Sequence, residues 1–245
     1  MNYNVEYCRP FESKNNIWMK LEHVGRYVFA KDFLKDKNIK NVGDIACGNG
    51  YGSNILSAIA KNVFAVDRKL AYFNKEYLSN RKLHLLKVDL NEIEEYDKLP
   101  QMDAVVCFET LEHLENPIMF LKKLYEKLVI GGWLLLSFPN SRFERFDEKG
   151  NNKDIFHLHV FDKNKLEKKF GEIGFEIVKV LGQGLCNEMC SLNSKLVKDK
   201  ILKQKYVDKC FNYDEKSIVN LSKLFASVND KDIEESYSYI YVLKK

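Results

Sequence analysis

The chain has 245 residues, is 45% hydrophobic and 30% charged, and carries a formal net charge of +4. That is enough apolar material for one sizeable core, and the weak, dispersed positive charge gives no ground for a nucleic-acid partner. No apolar run approaches the ~20 residues of a membrane span, and MNYNVEYCRP lacks a basic-then-apolar signal pattern, so a cytoplasmic protein is expected. Cys47 and Cys107 lie in apolar runs and read as small buried hydrophobes. Cys186 and Cys190 stand four apart with no second pair, which argues against zinc.

In chain order, the first 40 residues, including IWMKLEHVGRYVFAKDFL, predict one or two amphipathic helices ahead of a sheet. NVGDIA (41–46) predicts a first strand, and a helix follows from Gly50 to Lys61. VFAVD (63–67) is a second strand, 69–80 a helix, HLLKVDL (84–90) a third strand and MDAVVCF (102–108) a fourth. From Asn116 to Val129 the apolar positions 118, 121, 124, 125 and 128 keep a helical period, which Gly131-Gly132 is expected to break. WLLLSF (133–138) is a fifth strand stopped by Pro139. Phe161–Phe170 is helical with Gly174 as its cap, FEIVKVLG (175–182) a sixth strand and SYSYIYVL (236–243) a seventh.

Apolar strands alternating with helices predict an α/β fold, a seven-stranded mostly parallel sheet with helices on both faces. Residues 183–235 are rich in Lys, Asn, Ser and Asp, with helical pieces around 191–207 and 214–228. They read as a helical insertion between strands six and seven, suited to a lid or a dimer contact rather than to the core. The whole chain is then one domain: an N-terminal helical segment (1–40), a core (41–182), the insertion (183–235) and the last strand (236–245).

DIACGNGYGS (44–53) places Gly48, Gly50 and Gly52 within five positions, a quarter of the chain's 12 glycines. A strand, a glycine-rich turn and a helix open a mononucleotide-binding unit, with the ligand beyond the strands' carboxyl ends. Gly48-x-Gly50-x-x-Ser53 is one residue from a dinucleotide fingerprint, with Asp67 about 20 residues on, so NAD is one candidate. Asp44 argues against it: a carboxylate four residues before the first glycine repels a pyrophosphate and suits a ligand with an ammonium group. S-adenosylmethionine has that group and no phosphate.

DIACGNGYG, VFAVD, VDL (88–90), DAVVCFETLEH (103–113) and GGWLLL (131–136) together resemble the class I S-adenosylmethionine-dependent methyltransferases over roughly residues 40–180. The resemblance implies a Rossmann-like methyltransferase fold and S-adenosylmethionine as cofactor, with S-adenosylhomocysteine as product. It implies cofactor contacts from Asp44, Ala46, Cys47, Gly48, Gly50, Tyr51, Asp67, Arg68, Asp89, Leu90 and Phe108. Asp67 would hold both ribose hydroxyls and Asp89 would lie near the adenine. Asn49 stands where the family often has Thr, Ser or Glu.

A narrower resemblance, through EHVGRYVFA (22–30), SFPNSR (137–142), HLHVF (157–161) and LGQ (181–183), is to methyltransferases of bacterial surface-polysaccharide and capsule synthesis. It implies a small-molecule acceptor: O-methylation of a sugar, a sugar nucleotide or a phosphate- or phosphoramidate-type group. N-methylation of an amino sugar or nucleotide, or a non-catalytic cofactor-binding scaffold, are the rivals. For proton removal from a hydroxyl the candidates are His157 and His159, on one side of an extended segment, then His113, Glu109 and Glu112. Arg26, Tyr27, Arg142 and Arg145 are candidates for an anionic acceptor. No carboxylate–histidine pattern has ligand spacing in the linear sequence, so metal-independent transfer is expected. CFET (107–110) is not the Asn/Asp-Pro-Pro-Tyr/Phe type that grips a flipped base, so no nucleic-acid substrate is expected.

Overall fold

The computed structural model describes residues 10–11, 17–183, 214–231 and 233–245. Cys8, Cys186, Cys190, Cys210 and the helical piece expected at 191–207 lie outside the described residues.

Helix α1 (Ile17–Leu34) precedes β1 (Asn41–Ile45), α2 (Tyr51–Leu56), β2 (Asn62–Asp67), β3 (Leu83–Lys87) and β4 (Met102–Phe108). Then follow α3 (Pro117–Lys127), β5 (Leu128–Pro139), α4 (Lys163–Ile173), β6 (Glu176–Gln183), α5 (Glu215–Phe225) and β7 (Ser238–Lys244). The seven strands form one sheet in the order β3-β2-β1-β4-β5-β7-β6. All neighbours are parallel except β7, which pairs antiparallel with both β5 and β6.

Side chains alternate across this sheet. Val42, Ala104, Val106, Leu135 and Val242 face a core shared with α1, α2 and α5. Ile45, Val105, Cys107, Leu134, Leu136, Tyr241 and Leu243 face a second core built with α3 and α4. Burial on both faces explains why β4 and β5 read as unbroken apolar runs. The helices start on local caps: Asn116 accepts from the Met119 N–H at 3.1 Å with Pro117 next, and Asp162 accepts from the Lys165 N–H at 3.0 Å. Gly174 ends α4 at φ 113°. Cys47 and Cys107 are buried and unpaired, and burial holds both thiols up from their ordinary range.

Three expectations are corrected. Residues 69–80 form no α-helix but two 3₁₀ turns, Leu70–Tyr72 and Lys75–Ser79. Asn74 between them is extended: its N–H reaches Asn49 O at 2.9 Å, and its side chain accepts from the Glu76 N–H at 2.9 Å. Gly131-Gly132 does not precede β5 but lies inside it. The Gly131 N–H donates to Lys245 O and the Lys245 N–H to Gly132 O, extending the ladder with β7. The described part of the insertion is not peripheral. Ile218 and Ala226 are fully buried in the core shared with α1. Gly25 permits the approach, because a Cβ there would lie 2.5 Å from Ala226 O.

Candidate active site

The chain leaves β1 through an unusual backbone. Ala46, Gly48 and Gly50 all have positive φ, 61°, 56° and 84°. The Cys47 N–H ties the loop to β2 by donating to Val66 O at 2.9 Å. Ala46 is a left-handed residue with a side chain, a conformation that costs on the order of 1–3 kcal/mol and persists only where its surroundings over-determine it. Gly50 answers a tighter demand. A Cβ there would lie 2.1 Å from the Phe73 ring, so the close approach the glycines permit is partly to the protein's own aromatic wall.

Asp67, at the end of β2, closes this loop. One carboxylate oxygen accepts from the Gly48 N–H at 3.0 Å and the other from the Lys69 N–H at 2.8 Å. At the end of β3, Asp89 accepts from the Asn91 N–H at 3.1 Å, and its own N–H donates to Glu95 at 2.7 Å. Tyr96 donates to Leu90 O at 2.6 Å, fixing that segment. Here, beyond the carboxyl ends of β2 and β3, opens a cleft of about 710 Å³ lined by Arg68, Lys69, Lys87, Asp89, Glu95, Ile155 and Phe156. Its volume suits a nucleoside-sized ligand. The carboxylates of Asp67 and Asp89 at the strand ends suit hydroxyl and amino donors, while Arg68, Lys69 and Lys87 add positive charge to the cleft lining. Two carboxylates placed there fit the ribose hydroxyls and the adenine amino group of S-adenosylmethionine.

Asp44 is fully buried beneath the loop. Its two oxygens accept from the Tyr27 hydroxyl at 2.8 Å and the Ser53 hydroxyl at 2.6 Å. Burial pushes its carboxyl up to about 6 against these two bonds. Tyr27 also packs edge-on against Tyr51 and Phe108, ring centroids 5.1 and 5.2 Å away. The two expected cofactor aromatics therefore stand on one α1 residue that the sequence suggested for an anionic acceptor.

Glu109 follows β4 at φ 48°. Its carboxylate accepts from Ser137 Oγ at 2.6 Å and Ser238 Oγ at 3.2 Å and lies 3.8 Å from the Arg26 guanidinium. Arg26 donates to Gln183 at 3.0 Å, and Gln183 donates to Ala226 O at 2.9 Å and Glu22 O at 3.1 Å. This buried network joins α1, β4, β5, β6, β7 and the end of α5. It also corrects two expectations: Glu109 is engaged in holding elements together, and Arg26 serves that network rather than standing open to an anion. Arg142 pairs with Glu235, leaving Arg145 beside the small cavity described next.

The imidazoles sort themselves. His157 Nδ1 is 2.8 Å from a Glu144 carboxylate oxygen, and its ring meets that of His113 edge-on at 5.0 Å. His113 Nδ1 is 2.9 Å from Phe156 O. His159 instead stacks on Phe161, centroids 5.8 Å apart. Glu112 holds the segment in place, its carbonyl accepting from the Leu158 N–H at 2.8 Å and the His159 N–H at 3.2 Å. A small cavity of about 50 Å³ adjoins His157, lined also by Glu144, Arg145, Asp154 and Tyr237. The expected absence of a carboxylate–histidine cluster does not hold: ligand atoms of Glu112, His113 and His157 lie within 4.8 Å of one another. The linear sequence hides this, because His113 and His157 lie 44 positions apart.

The surroundings are acidic. Burial, with Glu109 nearby, raises Glu22 to about 7, and burial with Glu109 and Glu144 holds Glu112 well above the usual carboxylate range. Burial, with Arg26 beside it, lowers His23 to about 3, so His23 is neutral. Burial and the acids Glu109, Glu22 and Glu144 push Tyr237 up to about 12. Glu144 and Asp154 were not singled out from the sequence.

Comparison with known proteins identifies the family and the fold. A family model described as a methyltransferase domain matches residues 22–180. A probable S-adenosylmethionine-dependent methyltransferase of Mycolicibacterium smegmatis is 25% identical over 147 residues, 58% of this chain and 54% of that protein. A ubiquinone biosynthesis O-methyltransferase of Dechloromonas aromatica is 34% identical over 109 residues, 41% of this chain and 45% of the relative. The chain thus spans about half the length of the curated relatives it matches. The fold is shared with a Haemonchus contortus phosphoethanolamine N-methyltransferase solved with phosphomonomethylethanolamine and S-adenosylhomocysteine. That likeness has a TM-score of 0.58 at 16% identity, over 90% of this chain and 52% of that one. Among the described residues no helix is long and apolar enough to cross a membrane. The strand order with its antiparallel β7, the cleft beyond the carboxyl ends of β2 and β3 and the family match lead to one conclusion: the chain belongs to the methyltransferase-domain family, and its cofactor is S-adenosylmethionine.

Proposed function

We propose that the protein methylates an oxygen of a small polyhydroxylated acceptor, a sugar or sugar nucleotide of the kind used in bacterial surface-polysaccharide synthesis. The observation that carries oxygen transfer is the His157–Glu144 pair, 2.8 Å apart beside a small cavity. The sugar class rests on the resemblance of the segments around Glu22, Ser137 and His157. S-adenosylmethionine supplies a methyl group already activated on a sulfonium. Asp67 would hold its ribose, Asp89 and Leu90 its adenine, and the loop around Gly48 and Gly50 with Phe108 its methionine part.

The remaining work for the chain is alignment and proton removal. Glu144 fixes a proton on His157 Nδ1, which leaves Nε2 as the lone pair that can take up a hydroxyl proton. Burial holds Glu22 and Glu112 above the usual carboxylate range, with Glu109 and Glu144 close by, and a neutral hydroxyl suits these groups as a hydrogen-bond partner. The same acids favour a second reading, N-methylation of an amino sugar. Labelled methyl transfer to matched hydroxy and amino sugar nucleotides separates the two. Transfer to the hydroxy series supports the proposal, and transfer to the amino series alone replaces it. S-adenosylmethionine binding with no transfer to any acceptor leaves a cofactor-binding scaffold.

A further inference from the structure

We propose that Glu112, His113 and His157 form a binding site for one divalent transition-metal ion, with Asp154 as a fourth donor. The inference rests on the methyltransferase reading only for what the ion does, not for whether it binds; with an ion bound, His157 Nε2 is a ligand and the ion, not the imidazole, would activate the hydroxyl.

Four observations converge. Glu112 Oε2 is, among the described residues, the one buried side-chain oxygen or nitrogen with no hydrogen-bond partner, on a residue only 1% exposed. Leaving such an atom unpaired costs on the order of 1–3 kcal/mol, more if it is charged, so this carboxyl group needs a positive partner, a proton or a cation. Second, both imidazoles are oriented as metal-bound histidines are. Each has Nδ1 against an acceptor, Phe156 O at 2.9 Å for His113 and Glu144 at 2.8 Å for His157. That fixes the proton on Nδ1 and presents the Nε2 lone pair, and the acceptors are the carbonyl and carboxylate that commonly stand behind metal-bound histidines.

Third, each Nε2 faces a carboxylate oxygen at a distance too long for a hydrogen bond. His113 Nε2 is 3.7 Å from Glu112 Oε1, and His157 Nε2 is 3.6 Å from Asp154 Oδ2. Two donors that share a cation at about 2.1 Å each stand roughly 3–3.5 Å apart. These pairs are therefore already near the separation a shared ion imposes. The three principal ligand atoms, within 4.8 Å of one another, need to draw in by about 1 Å. Fourth, the site is open on one side: the His113 side chain is 40% exposed, and Phe156 and Ile155 beside it line the nucleoside cleft. An ion there keeps positions for an acceptor oxygen between cleft and small cavity.

Two imidazoles with carboxylates select Zn²⁺, Mn²⁺, Co²⁺ or Fe²⁺ over Mg²⁺ or Ca²⁺, which prefer oxygen alone. A hydroxyl bound to such an ion loses its proton more readily. That proton would leave to solvent at the open side beside His113, and the alkoxide oxygen would form the bond to the methyl carbon as the carbon–sulfur bond breaks.

The test uses the full chain, freed of metal by chelator and titrated with Mn²⁺ and Co²⁺. The expected result is one equivalent bound, with a cobalt spectrum of nitrogen and oxygen ligands and Mn²⁺ broadening of the His113 and His157 imidazole NMR signals. Glu112→Gln and His157→Gln should weaken binding by more than about 100-fold and Glu144→Gln by about 10–100-fold, with S-adenosylmethionine affinity unchanged. Absent stoichiometric binding, unbroadened imidazole signals in the folded wild type, or binding untouched by Glu112→Gln and His157→Gln overturns the proposal. So does a cobalt spectrum dominated by thiolate charge transfer. Methyl transfer that survives complete metal removal refutes the site's role and leaves the methyltransferase reading standing. Metal binding without transfer to any acceptor does the reverse.

Discussion

The Tyr27 hydroxyl on α1 donates to the Asp44 carboxylate inside β1 at 2.8 Å, and both residues are buried. Through this bond the N-terminal helix, which lies outside the nucleotide-binding unit, helps hold the floor of the glycine loop. A hydrogen bond to a charged group contributes about 1.5–3 kcal/mol. Tyr27→Phe should therefore destabilise the protein by that order in urea unfolding at pH 8. A change below about 0.5 kcal/mol would mean the carboxylate does not depend on the phenol.

The same carboxylate predicts a pH dependence. Asp44 titrates near 6 in the folded chain, against about 3.9 unfolded. Between those values the folded state holds the proton and the unfolded state does not. This residue's contribution to stability is thus fully present below about pH 4 and lost as pH rises through 6. The loss approaches about 3 kcal/mol at ~1.4 kcal/mol per unit. Asp44→Asn should flatten that part of the stability profile. A profile between pH 4 and 7 identical to wild type refutes this.

Gly50 and Gly150 share nearly the same backbone, φ 84° and 82°, but differ in surroundings. A Cβ at Gly50 meets the Phe73 ring at 2.1 Å, whereas one at Gly150 meets nothing within 4 Å. Gly150→Ala should cost only the left-handed backbone penalty of about 1–2 kcal/mol. Gly50→Ala should cost clearly more and also weaken S-adenosylmethionine binding, because Phe73 is displaced beneath the loop. Equal losses in thermal unfolding would show that the ring yields freely.

Asp67→Ala should weaken S-adenosylmethionine binding by roughly 1.5–3 kcal/mol for each hydroxyl bond lost. It also removes the acceptors of the Gly48 and Lys69 N–H groups, so unfolding must be measured beside calorimetry. Unchanged affinity in a folded variant removes Asp67 from the cofactor site.

The parallel core was legible because its strands are buried on both faces, and a run such as MDAVVCF has few other uses. The 3₁₀ turns at 70–79 were not, since Asn74 is extended there by a bond to Asn49, a partner set by the fold. Nor was the role of α5, whose short apolar face of Ile218 and Ala226 matters only because Gly25 of α1 lets it dock. At the site, Asp67 and Asp89 could be read from strand ends. Glu144, Asp154 and the ring contact between His113 and His157 could not, because two loops far apart in sequence create them.

His157 and His159 offer the sharpest functional contrast, because the sequence treats them alike and the structure does not. His157 is held by Glu144 and touches His113, beside the small cavity. His159 spends its face on Phe161. If His157 handles the acceptor's proton, as a base or through a bound ion, His157→Ala should lower turnover by about 10²–10⁴-fold with cofactor affinity nearly intact. His159→Ala should leave turnover within a few-fold of wild type. The deficit of His157→Ala should shrink at higher pH, where more of the acceptor hydroxyl is ionised without help. A His159→Ala loss as large as that of His157→Ala would place the proton acceptor on the wrong residue. A His157→Ala variant with full turnover would favour an amine acceptor that attacks without a base.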